Sequence, residues 1–281
     1  MKHFLIYTNR LKDENGEITN KITKYLLARG HKATVITGEN GLLPDYAMLP
    51  QDACCMLVLG GDGTILQAAR DNKTENLPII GVDMGTLGYL TEIDPASLED
   101  ALDKLMADEF TVECRMMLKG KVYRAEEVIY EDRALNDIVI SRCGSLKIVK
   151  LKVYVNGQFL CEYSADGVIV TTPTGSTGYS LSAGGPIVAP NAQLLMMTPI
   201  CSHTLGARSI ILSADDVIEI EIPKRKDGRR QEVEANFDGA GKVVIQAGDR
   251  IRIEKSEKST KFIQINKISF LEVLHKKLSD Q

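Results

Sequence analysis

The sequence lacks the features that mark membrane proteins, secreted proteins and metal-stabilised folds. Nowhere do eighteen uncharged apolar residues follow one another, and the opening run MKHFLIYTNR has too short an apolar stretch for a signal peptide. No C-x-x-C pair occurs among the six cysteines, which are Cys54, Cys55, Cys114, Cys143, Cys161 and Cys201. Because they lie mostly in apolar, strand-like runs, we expect reduced core thiols rather than a zinc site or a disulfide framework. We expect a cytoplasmic protein with no membrane partner.

An excess of positive charge is also missing. The chain carries 34 basic and 38 acidic side chains, a formal net charge of -4, which argues against a nucleic-acid partner. The one dense basic run is KRKDGRR, Lys224 to Arg230. Asp227 and Gly228 at its centre are typical of a hairpin turn, so we interpret the run as a solvated loop and assign it no role.

The length and the first part of the sequence predict an α/β domain. At 281 residues the chain exceeds the usual size of a single core, so two domains are expected. As far as residue 110, strand-like runs such as KHFLIYT, HKATVIT, CCMLVL and LPIIGVD alternate with helix-like runs, among them one from about Thr64 to Arg70. Such alternation is typical of a parallel sheet covered on both faces. We predict a Rossmann-like domain over residues 1–110.

After Phe110 the pattern changes to strands joined by turns. GKVYRAEEVIY, KIVKLKVYVNGQFL, GVIVTT, VIEIEIP and DRIRIEK are strand-like, and VNGQ has the Asn-Gly pair of a two-residue hairpin. The sequence therefore predicts a mostly antiparallel β domain over residues 111–260. The tail, residues 261–281, returns to helical spacing with Leu271, Val273 and Leu274 apolar, and is expected to pack back on the first domain.

The turn GGDGT, Gly60 to Thr64, follows the third predicted strand. Ligands of doubly wound sheets bind at the carboxyl ends of the strands, and glycines let the backbone approach a phosphate. Asp62 could accept a proton, hold a metal that bridges phosphates, or bind a sugar hydroxyl. It or Thr64 could instead cap the next helix. The motif is neither G-x-G-x-x-G, since Leu66 replaces the third glycine, nor a P-loop, since no G-K-[ST] follows.

A second stretch, Tyr163 to Pro190, is dense in glycine, serine and threonine. Its hydroxyls and backbone amides suit a polar, phosphate-bearing ligand, and Tyr179 could stack on a flat ring. We favour a structured binding loop over a solvated one because an apolar strand, GVIVTT, leads into it. Ser176 is not a predicted nucleophile, because TGSTG is not the G-x-S-x-G motif.

Two further stretches have ordinary structural interpretations. In LNDIVI, Asn136 and Asp137 precede an apolar strand, which by itself is more typical of a turn than of a site. His203, in PICSHTL, is more typical of a structural histidine than of a base.

Taken together, these stretches resemble the NAD kinase family. The resemblance spans most of the chain and is carried, in the family's order, by GGDGT, GTLGYLTEI (Gly85 to Ile93), LNDIVI, DGVIVTTPTGSTGYSLSAGGPIV (from Asp166), PICSHTL and FDG (Phe237 to Gly239). GGDGT is shared with lipid kinases and phosphofructokinases, whereas the long Thr/Gly/Ser run is specific.

The resemblance implies phosphorylation of the 2′-hydroxyl of the adenosine ribose of NAD, with ATP or polyphosphate, giving NADP. Asp62 would be the general base, and Mg²⁺ would accompany ATP, with no metal ligand assigned directly. Gly60 and Thr64 are candidate phosphate-binding residues. Residues implied in NAD binding, partly across a subunit contact, are Gly61, Gly63, Asn136, Asp137, Asp166, Ser176, Thr177, Gly178 and Tyr179. The family implies an α/β domain, a β-sandwich NAD-binding domain, a tail returning to the first, and a homodimer or homotetramer.

Two other functions remain open from the residues alone. One is a lipid or sugar kinase that uses the same GGDGT turn. The other is a non-catalytic NAD(P)-binding sensor, against which the retained carboxylate of Asp62 argues.

Overall fold

The computed structural model describes residues 1–37, 50–72, 77–85, 88–144, 147–203, 206–224, 231–266 and 269–279. Two compact units emerge, one formed by Met1–Arg115 with Thr260–Gln281 and the other by Met116–Ser259. The predicted hairpin turn at Asp227 and Gly228 lies outside the described residues.

The first unit is built on a parallel sheet. Its strands are β1 His3–Thr8, β2 Lys32–Thr37, β3 Ala53–Gly60, β4 Ile79–Asp83 and the short β5 Thr91–Ile93. Their order is β2-β1-β3-β4, all parallel, and β5 pairs with β4. Because the chain leaves β1 toward β2 on one side and β3 lies on the other, the order reverses between β1 and β3. In doubly wound sheets that reversal point is where ligands bind.

Three helices cover this sheet: α1 Glu17–Ala28, α2 Asp62–Asp71 and α3 Leu98–Ala107. The helical spacing of apolar residues decides which face of each helix is buried. In α3 the buried residues are Leu98, Ala101, Leu102 and Leu105, as predicted. Gly30, at φ +76°, follows the end of α1, where a left-handed residue is the usual helix stop. The predicted α/β domain is confirmed.

The second unit is almost entirely antiparallel β. β6 begins and β17 ends in the first unit, and the other elements lie wholly in the second. The elements are β6 Thr111–Arg124, β7 Glu127–Ala134, β8 Asp137–Arg142, β9 Val149–Val155, β10 Gln158–Ala165, β11 Gly167–Thr171, α4 Tyr179–Ser182, β12 Leu194–Ile200, β13 Ile210–Ser213, β14 Ile218–Glu221, β15 Val233–Phe237, β16 Gly241–Ile245 and β17 Arg250–Gln264. Six strands form one sheet in the order β13-β12-β11-β8-β15-β16. A second layer has the order β10-β9-β14-β17, and β6 pairs with β7 and β17.

Alternating apolar residues from both layers share one core. Ile138, Ile140 and Val168 come from the six-stranded sheet, whereas Val153 and Ile220 come from the other layer, and all are fully buried. Period-2 alternation places such residues on one face of each strand, which is what a sandwich requires. The predicted β-sandwich domain is confirmed.

The hairpin turns are partly as predicted. Asn156 and Gly157 join β9 to β10 with φ of 50° and 77°, as a type I′ turn requires. The run GKVYRAEEVIY, interpreted as strand-like throughout, instead contains a turn. Ala125 and Glu126, at φ of 48° and 70°, separate β6 from β7. Neither residue is a usual turn former, so local propensity could not locate this turn.

The tail packs back on the first unit, as expected. Phe262 of β17 pairs with Ile79 of β4, and the final helix is α5 Phe270–Ser279. Within α5, Val273 and Leu274 are half-buried, but Leu271 is 70% exposed. Of the three apolar residues on which the expected packing was based, Leu271 is therefore not part of the packed face.

The cysteines are free thiols, and three of the six, Cys54, Cys55 and Cys161, lie in or against a core. Cys55 is buried, Cys54, Cys143 and Cys161 are half-buried, and Cys114 and Cys201 are exposed. Strand-like sequence does not distinguish a buried face from an exposed one, so the expectation of core thiols was wrong for Cys114 and Cys201. In the described ranges, no helix has both the length and the apolar character needed to cross a membrane.

Candidate functional site

The GGDGT turn lies at the reversal point of the parallel sheet. Gly60 ends β3, Gly61 is the N-cap of α2, and Asp62 is the first residue of the helix. The helix thus begins two residues earlier than the sequence indicated. A carboxylate in the first turn of a helix is stabilised by the partial positive charge there.

Asp62 does not cap its own helix. Its Oδ2 accepts a hydrogen bond from the backbone N–H of Tyr89 at 2.9 Å, and its Oδ1 accepts one from Leu90 at 3.0 Å. No side-chain cap from Asp62 or Thr64 is present in this described segment, so the alternative of a simple capping role is wrong. The stretch that follows β4 therefore holds the carboxylate of the turn that follows β3.

The three glycines of the turn differ in what they face. At Gly60 a Cβ would lie 2.3 Å from Oγ1 of Thr64, so the fold itself requires glycine there. At Gly61 and Gly63 no described atom lies within 4 Å of the Cβ position, and neither residue has a positive φ. Glycine is not required by the chain's own packing at these two positions, which leaves open space above the turn.

Asn9, which follows β1, was missed by sequence reasoning. Its Nδ2 donates to Oγ1 of Thr64 at 3.4 Å, and its backbone N–H donates to the carbonyl of Leu59. Its position directly after the first parallel strand was the available signal, because the reversal point of the sheet lies between the ends of β1 and β3.

In the second unit, Asn136 and Asp137 form a buried corner at the start of β8. The carbonyl of Asn136 accepts hydrogen bonds from the amide of Thr172 and from Oγ1 of Thr171. Oδ1 of Asn136 is buried and has no hydrogen-bond partner among the described residues. A buried acceptor without a partner is costly unless a ligand satisfies it. The corner is thus suited to a ligand that donates a hydrogen bond.

Asp238, in the FDG stretch, organises this corner. Its carboxylate accepts hydrogen bonds from the backbone N–H groups of Leu135, Asn136 and Asp137 at 2.6–3.1 Å. Asp238 itself has a φ of 48°, and Gly239 follows it at 72°. In the sequence, FDG contributes to the family resemblance and predicts no contact. The structural reason for the aspartate is a long-range contact that no local pattern reveals.

Asp137 is buried beside the Asp238 charge. Its burial, and secondarily the negative charge of Asp238, raises the pKa of Asp137 to about 7. Desolvation and a neighbouring like charge both disfavour the ionised form. The carboxyl of Asp137 therefore changes its protonation state near neutral pH.

The Thr/Gly/Ser run is structured rather than solvated. It forms a 3-10 turn at Thr174–Thr177 and then α4, and Ala183 packs on the apolar cluster of Val139, Ile169 and Ile200. At Gly175 a Cβ would lie 2.4 Å from the carbonyl oxygen of Asn136, and at Gly178 it would lie 3.4 Å from Nδ2 of Asn136. The run thus lies directly against the Asn136 corner.

The hydroxyl of Ser176 is used inside the fold. Ser176 is fully buried, and its Oγ donates to the carbonyl of Val188 and accepts from the Val188 N–H, both at 3.1 Å. Thr177 is half-buried, and Tyr179 is 47% exposed. Contact of these three residues with NAD stays a prediction, and Ser176 would have to exchange a partner to make it.

Asp166 lies apart from the Asn136 corner. It precedes β11, whereas Thr172, which contacts Asn136, follows the same strand, so the two ends are roughly 20 Å apart. Asp166 forms a two-point ion pair with Arg142, at 2.8 and 3.3 Å. These hydrogen bonds lower the pKa of Asp166, and the charge of the exposed His203 acts in the same direction. One copy of the chain therefore does not bring all the predicted residues together.

The described residues contain no cluster of three or more histidine, cysteine, aspartate or glutamate side chains that could hold a metal ion. Each carboxylate oxygen of Asp62 accepts one amide and keeps a further lone pair. A Mg²⁺ ion bound mainly by substrate phosphates needs only one or two such oxygens, so Asp62 fits it.

Two family models match most of the chain, and relatives match nearly all of it. The ATP-NAD kinase N-terminal domain matches residues 45–110, and the ATP-NAD kinase C-terminal domain matches residues 135–265. An NAD kinase from Lachnospira eligens is 45% identical over 99% of this chain and 100% of its own length. One from Agathobacter rectalis is 45% identical over 100% of this chain and 99% of its own length.

Solved structures show the same fold. Yeast NADH kinase complexed with NADH has a TM-score of 0.85 at 24% identity, covering 99% of this chain and 88% of that one. An NAD kinase from Archaeoglobus fulgidus in complex with ATP has a TM-score of 0.77 at 25% identity, and both chains are covered fully. The fold and these relatives define an enzyme, a phosphotransferase. The chain belongs to the NAD kinase family, as its motifs predicted.

The raised pKa of Asp137 predicts a pH-dependent stability. The folded state retains a proton that the unfolded state has lost, so folding stability should fall as pH rises from about 4 through about 7. Asp137→Asn removes this loss. The unfolding free energy of the variant minus that of wild type should therefore increase by about 2–3 kcal/mol from pH 5 to pH 8, as measured by urea denaturation. Asp215→Asn, at an exposed site in the same unit, is the control and should parallel wild type. Identical pH profiles for wild type and Asp137→Asn would contradict the assignment.

Proposed function

We propose that the chain transfers the γ-phosphoryl group of ATP to the 2′-hydroxyl of the adenosine ribose of NAD, giving NADP, with Asp62 as the general base. The observation that carries the role of Asp62 is its carboxylate, held by two backbone amides at the mouth of a turn whose Gly61 and Gly63 face open space. A base must be held within hydrogen-bond reach of the proton that it accepts.

In the proposed reaction the protein accepts a proton but forms no covalent bond to the substrate. The ribose hydroxyl gives its proton to a carboxylate oxygen of Asp62, the hydroxyl oxygen forms a bond to the γ-phosphorus, and the bond from that phosphorus to the β-γ bridging oxygen breaks. ADP leaves. Phosphoryl transfer depends mainly on positioning and charge, so no covalent enzyme intermediate is expected.

Phosphates are proposed to approach Gly60, Gly61, Gly63 and Thr64 at the beginning of α2. Backbone N–H groups of the first turn are donors to phosphate oxygens, and open space above Gly61 and Gly63 gives access. A Mg²⁺ ion that enters with ATP would offset phosphate charge and could contact Asp62. Such an ion would reduce the repulsion between the Asp62 carboxylate and the phosphates.

Adenosine is proposed to bind at the Asn136 corner. Oδ1 of Asn136, which has no partner in the part of the chain that the structure describes, is an acceptor for an amino or hydroxyl group of the ligand. Asp137 would contribute its carboxyl group, Gly178 would let the ligand approach the amide of Asn136, and Ser176 and Thr177 would line the pocket. The exposed ring of Tyr179 is suited to stacking. A buried corner whose free acceptor suits a hydrogen-bond donor does not favour a lipid as the phosphorylated substrate. This argues against the lipid kinases that share the GGDGT turn.

The separation of Asp166 from this corner supports a site shared between copies. We propose that Asp166 of a second copy completes the NAD pocket in a homodimer or homotetramer. A cytoplasmic location belongs to the same proposal, and polyphosphate remains an alternative phosphate donor.

Asp62→Asn tests the base. Because the amide side chain has nearly the same shape but cannot take a proton, we expect NAD binding to remain and turnover to fall by at least about a hundredfold. NADP formation from ATP, Mg²⁺ and NAD is detected with an NADP-specific dehydrogenase, and NAD binding by calorimetry. Turnover near that of wild type would refute the base. NAD binding without turnover in wild type, with ATP and with polyphosphate, would instead favour the sensor.

Substitutions at Gly60 and Gly63 distinguish a glycine required by packing from a glycine that leaves room for phosphates. Gly63→Ala lies in the first turn of a helix and meets no described atom, so stability should hold or rise by about 0.5–1 kcal/mol. Activity should fall by about tenfold or more, because the methyl group enters the space proposed for phosphates. Gly60→Ala, which collides with Thr64, should instead lose about 1–3 kcal/mol of stability. Full activity in Gly63→Ala would contradict the close approach of phosphates.

Complementation tests the shared site. Asn136→Ala and Asp166→Asn should each be nearly inactive. In hetero-oligomers made by co-expression, one site combines an intact Asn136 with an intact Asp166 from the other copy. A randomly paired dimer should therefore recover about a quarter of wild-type activity. The same variants expressed singly are the control. If co-expression restores nothing while hetero-oligomers form, the shared site is wrong.

A further inference from the structure

The two amides that hold Asp62 belong to a short segment between β4 and β5. Tyr89 and Leu90 donate to Oδ2 and Oδ1 of the carboxylate. Gly88 lies so close that a Cβ there would be 2.0 Å from Oδ1 of Asp62, and its N–H donates to Oγ1 of Thr91. The orientation of the carboxylate thus depends on the backbone of Gly88 to Leu90 being held in place.

The side chain of Tyr89 connects this segment to the last helix. Its ring lies 6.5 Å, centroid to centroid, from the ring of Phe270, tilted by 39°. Nζ of Lys277 lies 4.5 Å from the centroid of the same tyrosine ring, which is within the range of a cation–π contact. Phe270 and Lys277 are seven residues apart, two turns along one face of α5. The helix therefore contacts the ring of Tyr89 through two of its residues.

Two sets of hydrogen bonds lie at and before the N-terminus of the helix. Ser269 and Glu272 form a reciprocal capping box, in which each side chain accepts the other's backbone N–H at 3.2 Å. Before the helix, Oε1 of Glu92 accepts the amides of Ile265 and Asn266, and the Asn266 side chain returns a hydrogen bond to the Glu92 carbonyl. Glu92 is in β5, directly after the segment that holds Asp62. The tail is thus joined twice to that segment.

We infer that Phe270 and Lys277 are positioning residues for phosphoryl transfer: through the Tyr89 ring, they fix the amides of Tyr89 and Leu90 against the carboxylate of Asp62. This inference rests on the proposed role of Asp62 as base. An amide-anchored carboxylate keeps one orientation, whereas a released one rotates among several and is correctly placed for only part of the time. Neither Phe270 nor Lys277 needs to touch a substrate.

Matched pairs of substitutions in the full chain test the inference. Phe270→Ala removes the ring contact, and Leu271→Ala, at an exposed position of the same helix, is its control. Lys277→Met keeps an apolar stem but removes the charge, and Lys276→Met, also exposed, is its control. We expect kcat to fall ten- to a hundredfold in Phe270→Ala and two- to fivefold in Lys277→Met, with KM for NAD within about twofold of wild type. Both controls should match wild type.

Amide hydrogen exchange provides a readout that does not depend on activity. In Phe270→Ala and Lys277→Met, the amides of Tyr89 and Leu90 should exchange faster, whereas those of α3 should not change. Phe270→Tyr, which keeps the ring, should restore both kcat and protection. Should Phe270→Ala fail to fold, the same comparison is made with Phe270→Leu, which keeps the helix face apolar.

The outcomes separate this inference from the proposed base. A kcat of Phe270→Ala equal to that of Leu271→Ala would overturn the inference, as would a rise in KM in place of the fall in kcat. A loss of kcat with unchanged exchange at Tyr89 and Leu90 would also overturn it, because the helix would then act by another route. Asp62→Asn is assayed alongside. If that variant stays active, the base itself is wrong, whatever the α5 variants show.

Discussion

The candidate active site depends on the hydrogen bonds from Tyr89 and Leu90 to the carboxylate of Asp62. They join the beginning of α2, which follows β3, to the segment directly before β5, through a side chain rather than through the sheet. Hydrogen bonds to a charged acceptor are among the stronger ones in proteins, roughly 1.5–3 kcal/mol each. They explain why a carboxylate occurs in a glycine turn. The protein orients the carboxylate, while the glycines beside it leave room for a ligand.

In the β unit a second carboxylate, Asp238, has the same organising role. It accepts hydrogen bonds from three consecutive amides, and the side chain of Asn136 lies against the Thr/Gly/Ser run. Many hydroxyls of that run serve the fold, as Ser176 does with Val188. The features of the corner that favour a ligand are therefore less these hydroxyls than two closely packed glycines and one amide oxygen that has no partner among the described residues.

Local pattern predicted the elements well where burial follows a regular period. The buried face of α3 and the Asn156-Gly157 hairpin were both predicted, because helical spacing and turn chemistry are properties of a few adjacent residues. The turn at Ala125 and Glu126 was not, since neither residue prefers a positive φ. Exposure of Leu271, Cys114 and Cys201 was missed as well, because the exposed face of an element depends on what packs against it.

The sequence by itself determined the class of both domains and the family, and it indicated the short stretches of the candidate site, because these depend on residue types at fixed spacing. Only the tertiary structure decided that Asp62 is held by a segment 27 residues away, that Asp238 supports Asn136 from about a hundred residues away, and that Asp166 lies at the far end of β11. These contacts join residues distant in the chain, and their partners are backbone amides, which every residue but proline has. No pattern of side chains could have identified them.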